Sequence, residues 1–110
     1  MIFVTTGTHY LPFNRLIKMI FSIRSKLRED IIIQSGTSKV CVPEAFQRDY
    51  FPFSKIIKYL KQARVVVTHA GPATIYQSLF LAGKMPVVVP RRKEFGEHVS
   101  NHQVFFARSL

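Results

Sequence analysis

The residues able to do chemistry in this chain gather behind short apolar runs. Thr68-His69-Ala70-Gly71-Pro72-Ala73-Thr74 follows Val65-Val66-Val67 directly. A strand that opens into a glycine turn and then a helix leaves backbone N–H groups free at the positive end of the helix, which suits an anion. His69 and Thr74 add side-chain donors at the same opening. The plainer alternative is a left-handed glycine at a strand–helix turn with an incidental histidine. Thr6-Gly7-Thr8-His9 follows a second run, Ile2-Phe3-Val4-Thr5. Glycine there lets the chain turn tightly, so that N–H groups and hydroxyls face a phosphate, although a simple Gly/Thr turn reads equally well. Arg91-Arg92-Lys93 follows a third run, Pro86 to Pro90. Three cations at a strand end could hold a pyrophosphate or a lipid phosphate, and a solvated basic loop is the alternative.

Other site chemistries find less support. The chain has neither the GxGxxG of a dinucleotide fold nor the GxxxxGK[ST] of a phosphate loop. His98 and His102 stand four apart on an expected last helix, a spacing that can bind zinc, but no third ligand is near and no metal is expected. The acids are scattered and none pairs within one of these loops, against two-carboxylate glycosidase chemistry.

The elements that must position these loops follow from periodicity. Ile2–Thr5, Ile31–Ile33, Val65–Thr68 and Pro86–Pro90 read as strands, the uniform apolarity of Val65–Val67 being that of a parallel strand covered on both faces. Val40–Tyr50 reads as a loop with a short third strand. Apolar residues at helical spacing predict a helix over Pro12–Leu27, another capped by Ser54 and ending near Gln62, and a third from Ala73 to Leu81, stopped by Gly83. A last helix is expected to begin near His98. Strands alternating with helices imply a parallel α/β sheet, with ligands beyond the carboxyl ends of its strands. All three reactive loops lie at those ends. The last helix stops at Ser109-Leu110 with no closing strand, so the chain is expected to be truncated or its edge completed by a partner.

At 110 residues, 47% hydrophobic and 20% charged, the sequence is that of one folded domain and not of a disordered segment. The net charge of +10 points to an anionic partner: nucleic acid, a phosphorylated ligand or acidic lipid. Arg15, Lys18, Arg24, Lys26 and Arg28 share the first helix with apolar residues, and no aromatic-and-basic sheet motif appears, which weakens the nucleic-acid reading. The lone Cys41 excludes an internal disulfide and fits a reducing compartment. No apolar run reaches the ~18 residues of a spanning helix, and the opening lacks the features of a signal peptide.

Taken together, these loops resemble glycosyltransferase family 28, in its carboxyl-terminal, nucleotide-sugar-binding domain. Val67 to Thr74, Gly83 to Pro90, and Asn101-His102-Gln103 are similar, in that order, to the family's donor signature. Val4-Thr5-Thr6-Gly7-Thr8-His9 with Pro12-Phe13-Asn14-Arg15-Leu16 resembles a narrower branch of small stand-alone subunits of the β-1,4-glycosyltransferase type. These serve bacterial exopolysaccharide and capsule synthesis, and are related to the soluble subunit of the eukaryotic dolichol-linked GlcNAc transferase.

The resemblance implies a parallel Rossmann-like sheet with helices on both faces, forming one half of a two-domain GT-B enzyme. It implies an inverting hexosyl transfer from a UDP-sugar to a lipid-linked saccharide, with no cofactor and no metal, because cations and helix dipoles neutralise the leaving diphosphate. Gly7 and Thr8 are then expected at the donor phosphates, and His69, Gly71 and Thr74 around the pyrophosphate. Gln77 is expected at the ribose, and His102 and Gln103 at sugar hydroxyls; the basic loop adds Arg91 to the expected UDP-sugar site. His9 is the local candidate for a catalytic assisting role, the main base being expected on a membrane-anchored, acceptor-binding partner. Through that partner the chain would sit at the cytoplasmic face of a membrane. Two departures stand out: Gln77 replaces a glutamate that accepts both ribose hydroxyls, and Ala70 replaces the second glycine of a pair. The rival readings are a catalytically inactive UDP-binding fragment and a basic nucleic-acid-binding module.

Overall fold

The apolar runs become strands, and all of them lie parallel. In the computed structural model, which describes residues 1–110, the strands are β1 (Ile2–Thr5), β2 (Ile31–Gln34), β3 (Phe46–Arg48), β4 (Val65–His69) and β5 (Val87–Val89). They form one sheet in the order β3-β2-β1-β4-β5, each neighbouring pair parallel. Ile2, Phe3 and Val4 of β1 lie opposite Ile31, Ile32 and Ile33 on one side and Val65, Val66 and Val67 on the other.

Alternation then sends successive residues to opposite faces. Ile2, Val4, Ile31, Ile33 and Val67 pack with Phe13, Leu16, Ile17 and Ile20, of which the last three belong to helix α1 (Asn14–Ile23). Phe3 and Val66 pack the other way, with Leu60, Ile56 and Ile57 of helix α2 (Phe53–Gln62). Helices therefore cover both faces of the sheet, which is why its central strands carry no polar alternation. Each fully buried side chain of this kind stabilises the fold by roughly 1.5–3 kcal/mol.

The chain runs outward from β1 to β3 and then returns to build β4 and β5 on the other flank of β1. Strand order reverses between β1 and β4, and the crevice above such a reversal is where parallel α/β sheets bind ligands. Three other elements frame it: helix α3 (Pro72–Tyr76), the π-helical turn Gln77–Leu81 that continues it, and helix α4 (His102–Ser109).

Helix boundaries depart from the periodicity. α1 is shorter than Pro12–Leu27, because its entry and its exit are both tied down. Phe13 N–H donates to Ser38 Oγ at 2.8 Å, Lys39 N–H donates to Asn14 Oδ1 at 2.8 Å, and the far end tightens into a 3₁₀ turn over Arg24–Lys26. α2 begins at Phe53 and is not capped by Ser54; the Pro52 carbonyl accepts Lys55 N–H at 2.9 Å and Ile56 N–H at 3.1 Å. α3 begins at Pro72, where the missing N–H costs nothing. α4 begins at His102, four residues after His98, because Asn101 Oδ1 is engaged by Lys93 N–H at 2.9 Å in a preceding loop. His98 and His102 therefore do not share a helix face.

Candidate functional site

The loops after β1 and β4 meet above the reversal, and each is set by a contact made locally. Gly7 turns at φ +76°, in the left-handed region, and its N–H donates to Thr5 Oγ1 at 3.1 Å. Gln34 Nε2 donates to the same hydroxyl at 3.1 Å, while Gln34 Oε1 accepts Phe51 N–H at 2.8 Å. A buried polar chain thus ties the β1 loop, the end of β2 and the start of α2 into one rim.

His69, the last residue of β4, is only 7% exposed and lies with its ring between Gly7 and Gly71. A Cβ added to either glycine would come within 3.0 Å of three ring atoms, so both positions need glycine for packing. Gln103, on α4, holds the other edge of the ring. Its Oε1 accepts Ala70 N–H and Arg91 N–H, both at 3.1 Å, and its Nε2 contacts His69 Nδ1 at 3.1 Å. Burial, reinforced by the Arg91 cation, lowers the His69 pKa to about 4. The ring is neutral at pH 7, and its buried Nε2 has no partner within the protein.

Arg91, two residues beyond β5, is 1% exposed. Its guanidinium donates to the carbonyls of Leu11 at 2.7 Å, Glu97 at 3.0 Å and Thr6 at 2.5 Å, and it packs 4.9 Å from the Phe13 ring centroid. Burial lowers its pKa to about 10, against the opposing attraction of Glu97, so it remains a cation at neutral pH. Beside it the His9 and His98 rings lie tilted at 31° to each other with centroids 4.3 Å apart. Each accepts a backbone N–H on Nδ1, from Leu11 and Ser100 respectively. Both pKa values are lowered, first by burial; after that His98 and Arg91 act on His9, and Arg91 and His102 on His98.

A cleft of about 420 Å³ opens above these groups, a size within the usual range for small-molecule sites. Among the residues expected at the site, Gly7, Thr8, His69, Gly71, Thr74 and Gln77 all line it. The others stand elsewhere. Arg91 was expected to hold a phosphate, but it does not line the cleft; its Nη1 and Nη2 groups are spent on three carbonyls, and its Nε is buried without a partner. Gln103 was expected at sugar hydroxyls, but both ends of its amide are taken by Ala70, Arg91 and His69. His102 is exposed at the first position of α4, and His9 lies against His98 outside the cleft lining.

Thr5, Gln34, Phe51, Phe53 and Ile56 also line the cleft and were not anticipated. Two signals pointed to them: a glutamine closing the isoleucine run of β2, and the aromatic cluster Tyr50-Phe51-Pro52-Phe53 ahead of α2. The cleft therefore joins an apolar aromatic wall to a glycine–histidine–helix-start corner fitted for an anion.

Strand order, two-sided helix cover and a cleft at the order reversal define a Rossmann-like α/β unit, the architecture of one half of a GT-B glycosyltransferase. The particular family follows from comparison with known proteins: the chain matches the glycosyltransferase family 28 C-terminal domain over residues 1–110 and belongs to that family. No curated protein and no solved structure matches it.

Proposed function

We propose that this chain is the donor-binding subunit of an inverting glycosyltransferase that moves a hexose from a UDP-sugar to a lipid-linked saccharide in exopolysaccharide or capsule synthesis. The observation that carries the reading is the two-sided cleft. Phe51, Phe53 and Ile56 offer a surface for a nucleobase, Gly7 shapes the turn beside it, and Thr8, His69, Gly71 and Thr74 offer donors to a diphosphate. Gln77 lines the same cleft and would take the ribose. The free Nε2 of His69 supplies one donor, and the Gly71 N–H and the start of α3 supply the rest, so the leaving diphosphate is stabilised by preorganised dipoles.

One such unit offers a donor site without a facing wall for the acceptor. No helix is long and apolar enough to cross a membrane. A membrane-anchored partner would supply the acceptor site, the general base and the position at the cytoplasmic face. His9, next to Thr8 on the rim, would assist at the acceptor side. Exposed Phe80, Met85 and Phe105 and the basic α1 surface are candidate contact areas for that partner.

Calorimetry with UDP, UMP and a short oligonucleotide tests the ligand: UDP should bind, UMP more weakly, and the oligonucleotide should not compete for the cleft. Membranes carrying the partner, mixed with the chain and a UDP-sugar, should transfer sugar to lipid, and His69→Ala should lower that rate sharply. Full transfer by the purified chain alone would refute the half-enzyme reading. Oligonucleotide binding that UDP cannot displace would favour a nucleic-acid module instead.

A further inference from the structure

The His69 ring is held by a partner whose own orientation leaves no freedom. Gln103 Oε1 accepts two backbone N–H groups, those of Ala70 and Arg91. Only the amide oxygen can do that, so the atom facing His69 Nδ1 is the NH₂ nitrogen, a donor. Nδ1 must then be a bare acceptor, which places the ring proton on Nε2. That Nε2 is buried and unpartnered, at the floor of the cleft between Gly7 and Gly71.

We infer that Gln103 is the positioning residue for His69: it locks the ring as the neutral Nε2–H tautomer, so that the cleft presents a pre-aimed, uncharged donor to an anionic phosphate oxygen. The alternatives are both poor for that task. The Nδ1–H tautomer would turn a lone pair toward the anion and leave the Gln103 NH₂ without an acceptor. An imidazolium would lose the Gln103 hydrogen bond and face the buried Arg91 cation, with His9 and His98 as its other titratable neighbours. A buried N–H with no acceptor is costly, and a ligand oxygen relieves that cost on binding. Gln103 acts without touching the ligand, because its amide is consumed inside the protein.

The inference rests on the proposed anionic ligand only for its purpose; the lock itself is a property of the free protein. Long-range ¹H–¹⁵N correlation spectra of the ¹⁵N-labelled chain read the tautomer directly. The native His69 should show a protonated Nε2 and an unprotonated Nδ1, unchanged between pH 5.5 and 8. Gln103→Glu keeps an oxygen for the two backbone donors but presents a carboxylate to the ring, so Nδ1 should become protonated. UDP affinity is measured in parallel, as the ratio of the Gln103→Glu to the native Kd, in which the ligand's own titration cancels. That ratio should rise about tenfold from pH 5.5 to pH 8, as the variant ring passes from imidazolium to the Nδ1–H form, the scale of one hydrogen bond to a charged group.

A native ring with Nδ1 protonated, or a folded Gln103→Glu protein whose Nδ1 stays bare, overturns the lock. Should the variant not fold, the native spectrum alone decides. If the native ring shows the stated tautomer and UDP fails to bind, the lock stands and the proposed ligand falls.

Discussion

Gly71→Ala isolates the packing of the His69 ring from every other effect. Gly71 sits at φ −79° and ψ 127°, an ordinary extended conformation, so alanine adds no backbone strain there. What it adds is a Cβ within 3.0 Å of three atoms of the ring, which also lies against Gly7 and is held by Gln103. The ring cannot yield without losing the Gln103 hydrogen bond. Overpacking of a buried site costs about 1–3 kcal/mol and a lost hydrogen bond about 1 kcal/mol more, so the variant should be destabilised by about 2–4 kcal/mol. His69→Ala removes the obstacle. The double variant should therefore be more stable than the sum of the single costs implies, by about 2 kcal/mol. Urea denaturation with unchanged m-values measures all three. A Gly71→Ala protein within about 0.5 kcal/mol of native, or strictly additive costs, would refute the cradle.

Three further outcomes follow from the same geometry. His69 has its folded pKa lowered from 6.5 to about 4, so the unfolded chain takes up the proton first, and stability should fall as pH drops through that window by about 3 kcal/mol in all; His9 and His98 shift in the same direction, and His69→Gln should remove the largest part of the slope in denaturation curves. Glu29, lowered from 4.5 to about 2 chiefly by its Arg64 hydrogen bond, and Glu94, also lowered, add to the slope below about pH 5, so the stretch from pH 6.5 to 5 reads the histidines. Gln77→Glu should tighten UDP binding by about 1–2 kcal/mol if the side chain meets the ribose, and unchanged affinity by calorimetry would remove it from that position. Arg91→Met leaves the carbonyls of Thr6, Leu11 and Glu97 without their shared donor and should cost about 3 kcal/mol, seen as a drop in Tm of roughly 10 °C or more; an unchanged Tm with weakened UDP binding would make Arg91 a ligand contact and not a strap.

The sequence alone determined the strands, the alternation with helices and the carboxyl-edge placement of the reactive loops. Those signals are local: a run such as Val65-Val66-Val67 needs cover on both faces wherever it lies, and a glycine directly after it must turn. For the same reason Gly7, Thr8, His69, Gly71 and Thr74 could be placed at one cleft before any coordinates, whereas Gln77 was placed there only by the family resemblance. Arg91 and Gln103 were legible as polar groups near the site, but not as its scaffold. A guanidinium at a strand end looks the same in sequence whether it faces a phosphate or is buried against carbonyls. Its partner Thr6 lies 85 residues away, and His69 and Gln103 are 34 apart. The aromatic wall of Phe51 and Phe53 depends likewise on Gln34 reaching across from β2 to Phe51 N–H. Residue type dictates how many hydrogen bonds a side chain must make; only the packed chain decides which groups arrive to make them, and so which donors remain free for a ligand.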